Sequence, residues 1–365
     1  MIGPSRLKNT PARTATLDKA RLDEFYDRTM NARPNSLKLS IALCSYDGEQ
    51  FLQEQLDSIA AQSRLPDELI VCDDRSADGT VEILGKFAAQ AAFPVRIYAN
   101  EEKLGTVKNF EQAIELCTGD VIALADQDDI WHTKKLERIE QIFLTRSSIG
   151  LVFTDAELID QRSIPLGERL WQRIINKKEQ RLIEQGRIRD VLIARNVVTG
   201  ATMAFRSEYR QLVLPIPLDI SLIHDGWIAV LVAMVADTAA IGEPLISYRQ
   251  HPRQQLGAKP LATTKPRGNF FQMHSETAHE WRLSGCQAEI DHLTAIYQRL
   301  ISKGEDFRAQ RTILTIKDRA HHLRVRGSLQ SERLARIKPV LAEICSLRYH
   351  RYSNGWRSAA KDLFI

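Results

Sequence analysis

Between residues 39 and 125 four apolar runs of strand length alternate with stretches of helical periodicity, and this alternation constrains the fold more than any other feature of the chain. The run 39–45 (Leu-Ser-Ile-Ala-Leu-Cys-Ser) is followed by 51–60, where Phe51, Leu52, Leu56, Ile59 and Ala60 recur at helical spacing. The run 68–73 leads through the turn Asp74-Arg-Ser-Ala-Asp-Gly79 into a predicted helix over 80–91. A third strand over 95–99 precedes a helix over 106–117, and a fourth over 121–125 closes the series. None of these runs alternates polar with apolar, so each strand is expected to be covered on both faces. Such strands joined by helices form a mostly parallel sheet flanked by helices, an α/β fold.

Beyond residue 149 the pattern loosens. Short strands are predicted at 150–153, 200–205 and 239–242, a polar helical stretch at 181–194, and a helix over 225–235. After a loop rich in Pro, Gln and Thr (252–266), helices are predicted over 277–302, 307–326 and 329–347. The first 36 residues are polar, with one short helix expected over 17–30. A chain of 365 residues accommodates one large domain with an appendage, or two modest domains.

The longest apolar run, 227–236, stops at Asp237 and is too short to span a bilayer. The N-terminal stretch has no apolar h-region of a secretory signal. Five cysteines (Cys44, Cys72, Cys117, Cys286 and Cys345) are widely spaced and form no C-x-x-C pair, the pattern of free thiols in a reducing compartment. The expectation is a cytoplasmic protein, soluble or at most resting on a membrane.

The formal net charge of +4 does not argue for nucleic acid, and none is expected as a partner. Its distribution says more. From Lys317 onward Lys and Arg number 11 against 4 Asp and Glu, an excess of +7, which leaves −3 on the remainder. Near the end Arg348, Arg351 and Arg357 alternate with Tyr349, Tyr352 and Trp356. That mixture suits either anionic lipid headgroups or a packed helix end.

In a parallel α/β sheet ligands bind outside the carboxyl ends of the strands. Here Ser45-Tyr46-Asp47-Gly48 follows the first strand, Asp73-Asp74 ends the second, and Asp126-Gln127-Asp128-Asp129 follows the fourth. Carboxylates at i and i+2 of such a loop point the same way. Their hard oxygens suit Mg²⁺ or Mn²⁺ held against a diphosphate.

These motifs, in this order, resemble those of family 2 glycosyltransferases of the GT-A fold. The resemblance is carried by Ser45-Tyr-Asp-Gly48, Asp73-Asp-Arg-Ser76, Asp78-Gly-Thr80, Leu104-Gly105, Asn109-Phe110 and Ala125-Asp-Gln-Asp-Asp-Ile-Trp131. It continues through Asn196-Val-Val-Thr-Gly-Ala-Thr-Met203, His224-Asp-Gly-Trp227 and Glu243-Pro-Leu-Ile-Ser-Tyr-Arg-Gln-His251. The likeness is greatest to the rhamnosyltransferase-like branch of bacterial surface-polysaccharide synthesis.

The resemblance implies a GT-A domain over 38–257, with a nucleotide-sugar half (38–149) and an acceptor half (150–257). An N-terminal extension (1–37) and a helical C-terminal region (258–365) flank it. It implies an inverting, metal-dependent transfer of a sugar, rhamnose from dTDP or a hexose from UDP, to a glycan or lipid-linked saccharide. Cys44, Tyr46, Asp74 and Asp126 stand where that family binds the nucleotide, although Asp47 replaces a more usual Asn. Asp128 matches the direct metal ligand, while Asp129 receives no role. Thr199, Gly200 and Trp227 resemble the acceptor side, Gly200 equally a tight bend before a strand. Asp225 matches the general base. His251 is either a further metal ligand or a structural histidine, and Arg249 is placed near the phosphates. Peripheral contact with an anionic inner membrane face accompanies a lipid-linked acceptor.

Other classes fit less well. A dinucleotide-dependent oxidoreductase needs G-x-G-x-x-G in the first turn, which reads Ser45-Tyr-Asp-Gly-Glu-Gln50. A sugar nucleotidyltransferase needs a Gly-rich, Lys-bearing first loop. A catalytically inactive sugar-binding module has no reason to keep Asp126, Asp128 and Asp225 together.

Overall fold

The computed structural model describes residues 16–17, 36–220, 222–254, 275–303, 307–330 and 332–364. Its strands are β1 (Thr16–Leu17), β2 (Leu39–Ser45), β3 (Glu68–Asp73), β4 (Val95–Ala99), β5 (Val121–Ala125), β6 (Ile130–Trp131), β7 (Ile149–Ile159), β8 (Pro165–Arg169), β9 (Met203–Arg206) and β10 (Asp237–Arg249). They form one sheet in the order β1-β10-β7-β9-β5-β2-β3-β4, with β6 pairing β10 and β8 pairing β7. β4, β3, β2 and β5 run parallel, and β9 enters antiparallel between β5 and β7. The α/β fold predicted from the sequence is the one observed.

The unbroken burial of the central strands has a direct cause. Ala42, Cys44, Ile70, Cys72, Ile122 and Leu124 pack into one apolar cluster. Their neighbours Ile41, Leu43, Leu69, Val71, Ala123 and Ala125 pack into another. Successive side chains of a strand point to opposite faces, so both sets must be apolar when helices cover both sides. On the second face lie α1 (Leu52–Ala60), α2 (Thr80–Gln90) and, later in the chain, Lys135–Thr145. On the first lies α3 (Thr106–Leu116), through Phe110, Ala113 and Ile114. Naming continues with α4 (Lys135–Thr145), α5 (Leu170–Ile174), α6 (Lys177–Glu184), α7 (Ile188–Leu192), α8 (Arg210–Val213) and α9 (His224–Val235).

The apolar run at 227–236 is explained by α9. Eleven of its twelve residues are buried, and it has no polar stripe. A helix apolar all round is an interior helix. Its N-cap, Ile223, makes no side-chain capping bond, so packing fixes its position. Each fully buried Val, Leu or Ile contributes about 1.5–3 kcal/mol, more than the roughly 1 kcal/mol of a good cap. Among the described residues no helix is long and apolar enough to cross a membrane.

Five helices complete the described chain: α10 (Ser275–Ser302), α11 (Phe307–Gly327), α12 (Arg333–Cys345), α13 (Arg348–Tyr352) and α14 (Trp356–Phe364). Ile290, Leu293 and Ile296 of α10 and Ile316 and Leu323 of α11 join the same apolar cluster as α9. The helical region thus begins as part of the main core. Only beyond Leu329 does a separate small cluster form, around Val340, Tyr349 and Ala359.

Several predicted bounds change. The polar helix expected over 181–194 is two helices, α6 and α7, parted at Gly186, whose φ of 77° is the left-handed conformation that ends helices. The strand expected over 200–205 opens as a 3₁₀ turn, Gly200–Thr202. The strand expected at 239–242 extends to Arg249. Of the helix expected over 17–30, only Leu17 lies among the described residues, in β1.

Candidate active site

The carboxyl ends of β2, β3 and β5 open onto a cleft of about 810 Å³. Residues 195–200, the first turn of α9 and the end of β10 form its far wall. Of the site residues read from the sequence, Cys44, Tyr46, Asp74, Asp126, Asp128, Thr199, Gly200, Asp225 and His251 line this cleft. Trp227 and Arg249 are absent from its lining.

The near wall is tied down by side-chain bonds to backbone. Asp47 sits at φ 44°, a conformation that Asn and Asp tolerate better than most residues, and its Oδ1 accepts from Ala77 N at 2.9 Å. Gly48 N donates to Thr80 Oγ1 (2.8 Å), so the first turn is stitched to the second. Gln127 pairs with Tyr46 like a strand neighbour, accepting from its N–H at 2.8 Å and donating to its carbonyl at 2.9 Å. The half-exposed Tyr46 ring carries the Lys103 ammonium 3.4 Å from its centre. Asp74 is buried, and its carboxylate accepts from Leu104 N (2.7 Å), Gly105 N (2.9 Å) and Asn100 Nδ2 (3.2 Å). It therefore fixes the loop before α3 while one edge faces the cleft. Asp73 points elsewhere, accepting from Ser45 Oγ and Ser76 Oγ. Cys44 is a buried thiol whose pKa burial pushes well up, an inert surface and not a nucleophile.

The acidic loop between β5 and β6 is clamped by β10. Trp131 pairs with Ile246 and Ile130 with Ser247, which brings the end of β10 alongside residues 128–129. His251 Nε2 then lies 2.8 Å from Asp128 Oδ2. Two residues 123 positions apart, both singled out as metal ligands from the sequence, meet. Asp126 is pushed up to about 7, first by burial and then by the charges of Asp128 and Asp225. Tyr248 is pushed well up by burial and by Asp129, Asp126, Asp128 and Asp225 around it.

Asp129 does not line the cleft. Its Oδ1 accepts from Arg249 N at 3.0 Å, and its buried Oδ2 has no hydrogen-bond partner. The one buried cation acting on Asp126 and Asp129 is Lys135, which donates to Ala201 O (2.6 Å) and lies 3.5 Å from the Trp131 ring centre. Burial holds the Lys135 ammonium well below its usual range. Burial and the neighbouring carboxylates thus push Asp126 and Asp129 up, toward their neutral forms.

Asp225 occupies the first turn of α9, where the helix dipole favours an anion. Its Oδ1 accepts from Asn196 Nδ2 at 3.1 Å. Burial raises it to about 6, against backbone hydrogen bonds from Gly226 and Gly200. Gly200 has a packing reason to be glycine. A Cβ there would sit 3.0 Å from His224 Nε2 and 3.5 Å from Asp225 Cβ. His224 stacks on Phe110 with ring centres 4.0 Å apart, and burial lowers it to about 3, so it is neutral.

The two residues outside the cleft are there for periodic reasons. Trp227 is two positions past Asp225 on a helix, hence on the far side; its Nε1 donates to Val213 O (2.8 Å) under the Arg299 guanidinium. Arg249 follows Tyr248 on a strand, so when Tyr248 faces the cleft Arg249 faces away. Its fully buried guanidinium donates to Asp128 O (2.7 Å), Ser163 Oγ (2.9 Å) and Glu54 Oε2 (2.6 Å) and lies over Phe51. Arg249 supports the acidic loop from behind and is not positioned to meet phosphates. Arg253, exposed and two residues past His251, does line the cleft.

Residues 40–206 match the model of glycosyl transferase family 2. That match spans a little under half of the chain. The chain is similar to an uncharacterized protein of Mycobacterium tuberculosis, 27% identical over 224 residues, which cover 58% of this chain and 59% of that one. The chain thus spans little more than half the length of that relative. It is also similar to the dTDP-rhamnosyl transferase RfbG of Shigella flexneri, 33% identical over 99 residues, covering 26% of this chain and 34% of that protein. Among solved structures it is similar to a mannosyltransferase of Pyrobaculum calidifontis in complex with GDP-Man and Mn²⁺. There the TM-score is 0.45 and the identity 16%, covering 90% of this chain and 81% of that one.

Proposed function

We propose that the chain is an inverting, metal-dependent glycosyltransferase that moves a sugar from a nucleotide-sugar to a saccharide or lipid-linked saccharide, with residues 38–257 as its catalytic domain. The observation that carries this reading is the meeting of Asp128 and His251 at 2.8 Å in the cleft that also holds Asp225. Among the described residues no group of three His, Cys, Asp or Glu is close enough to enclose a cation. That fits Mg²⁺ or Mn²⁺ in nucleotide chemistry, where one or two protein ligands suffice and substrate phosphates complete the shell. The crowding of Asp126, Asp128 and Asp129, which repel one another in the absence of a cation, supports the same reading. A divalent cation held by Asp128 and His251 would supply positive charge against the diphosphate as it departs.

The residues of the chain do the rest. Cys44, Tyr46 and Asp74 form the wall on which a nucleotide base would rest, and Asp126 is the carboxylate for the ribose side. Arg253, in place of Arg249, is the guanidinium available to the phosphates. Thr199 and Gly200 shape the acceptor side beside Asp225. Asp225 takes the proton of the acceptor hydroxyl as its oxygen bonds to the anomeric carbon. The bond from that carbon to the diphosphate oxygen breaks, and its electron pair leaves with the nucleotide. Its raised pKa keeps Asp225 a stronger base than a surface carboxylate.

The likeness to a dTDP-rhamnosyl transferase makes dTDP-rhamnose the first donor to try and a UDP-hexose the second. Bacterial surface polysaccharide is the setting, and peripheral contact with the inner membrane face belongs to the same reading. A thermal-shift panel of UDP, dTDP and GDP with and without Mn²⁺ tests it. Stabilisation by one nucleotide, dependent on Mn²⁺, is the expected result. No shift with any nucleotide in either condition would sink the proposal.

A further inference from the structure

We infer that the last three helices form a docking surface for an anionic lipid bilayer, one that keeps Trp356, Arg351 and Arg357 of the sequence expectation but not its tyrosines. This deepens the membrane contact in the functional reading, and rests on that reading only for its purpose.

The tyrosine-rich face expected from the sequence is turned inward. Tyr349 is buried and donates to Asp362 Oδ2 at 2.8 Å, Tyr352 donates to Asp318 Oδ2 at 3.0 Å, and Arg348 is paired with Asp318 and Glu343. The acids of this region go inward with them. Of the three acids between residues 332 and 364, Glu343 and Asp362 are buried, taken up by His322 and Arg348 and by Arg326 and Tyr349. Glu332 alone is exposed.

What is left outside is apolar and cationic. Leu334, Ile337 and Leu341 recur at helical spacing along α12 and are 83%, 42% and 50% exposed. Trp356 and Phe364 lie eight residues apart on one side of α14, 64% and 66% exposed. α12 and α14 pack on one another, so the two stripes lie on neighbouring helices. Six of the sixteen exposed large apolar side chains among the described residues fall in 334–364, whereas the others are scattered over the body. Isolated exposed apolar residues need no explanation, but a cluster does. Arg333, Lys338, Arg351 and Arg357 are exposed around it.

Apolar stripes flanked by cations, with the acids withdrawn, are the pattern of a helix lying in the headgroup region of an anionic leaflet. A second copy of the chain would bring like charges together there. The charge distribution therefore favours lipid.

The test uses the full chain and sedimentation with vesicles of phosphatidylcholine, with and without phosphatidylglycerol. The expected result is binding to the phosphatidylglycerol vesicles that weakens with salt, and little to phosphatidylcholine alone. Combining Arg333→Gln, Lys338→Gln and Arg357→Gln should lower that binding about tenfold or more, since each basic residue near such a surface contributes measurably. Leu334→Gln with Leu341→Gln and Trp356→Ala should do likewise, while nucleotide binding stays as in the wild type. Absence of wild-type binding, or unchanged binding by both variants, would overturn the inference. So would a dimer in gel filtration that the apolar variant dissociates. Vesicle binding without any nucleotide binding would leave this inference standing and remove the catalytic one.

Discussion

The two walls of the cleft are built differently. On the near wall the polar side chains are spent on backbone: Asp74 on Leu104 and Gly105, Gln127 on Tyr46, Asp47 on Ala77. On the far wall and the acidic loop burial outweighs such bonds, even at Asp225, which accepts from Asn196, Gly200 and Gly226. Asp225 and Asp126 are pushed up to about 6 and 7, and Asp129 Oδ2 has no partner. Buried groups that are fully hydrogen-bonded hold shape, whereas those left strained in charge are where chemistry is prepared. On the proposed function, one wall would recognise and the other react.

The largest effect that tests this division is expected at Asp225. Asp225→Asn keeps the shape and removes the base, so turnover should fall by about 10²–10⁴-fold with nucleotide affinity nearly unchanged. Steady-state kinetics beside nucleotide titration check this, and wild-type turnover would break the assignment. The wild-type pH profile carries the sign of the same group. A base raised to about 6 is protonated below that pH, and Asp126 beside it takes up a proton near 7, so kcat/KM should fall as pH drops through 7 and 6 and level off above 7. Asp126, His224 and Tyr248 face the same space. His224, already neutral, adds no limb near 6.

Arg249→Leu comes next. If the guanidinium supports the acidic loop, its loss leaves Glu54 and the loop carbonyls without their donor, and stability should drop by about 3 kcal/mol. Denaturant unfolding measures that. A raised KM for donor at unchanged stability would instead return Arg249 to the phosphates. The smallest effect is expected on the near wall. Asp74→Asn keeps an acceptor for one of its two backbone donors, so nucleotide binding should weaken by about tenfold, one hydrogen bond to a charged group, with turnover at saturation preserved. A loss in turnover larger than the loss in affinity would mean the two walls do not divide the labour.

The sequence was most legible where one physical rule acts alone. The strands 39–45, 68–73 and 121–125 have the bounds expected because burial on both faces demands unbroken apolar runs, whereas the edge strand 95–99 has its expected bounds but is only partly buried. Asp126 and Asp128 line the cleft, whereas Asp129 is held behind it by Arg249 N. Trp227 and Arg249 were misplaced because a motif gives proximity along the chain, not direction. The helix and strand periods that turn them from the cleft become decisive only once Asp225 and Tyr248 are known to face it. Lys135 had no local signal, since its partners Ala201 and Asp129 come from other elements. Nor did the inward turn of Tyr349 and Tyr352, which depends on Asp318 and Asp362.

The burial of α9 on every side has a further consequence. Asp225 is mounted on the tip of a rod held along its whole length by sheet and helices, so it has little freedom to follow the substrate. Remote repacking, such as Val232→Ala two helical turns away, should therefore be felt at the Asp225 carboxylate as misalignment. If Asp225 is the base, loosening the interior and blunting the catalyst are the same event.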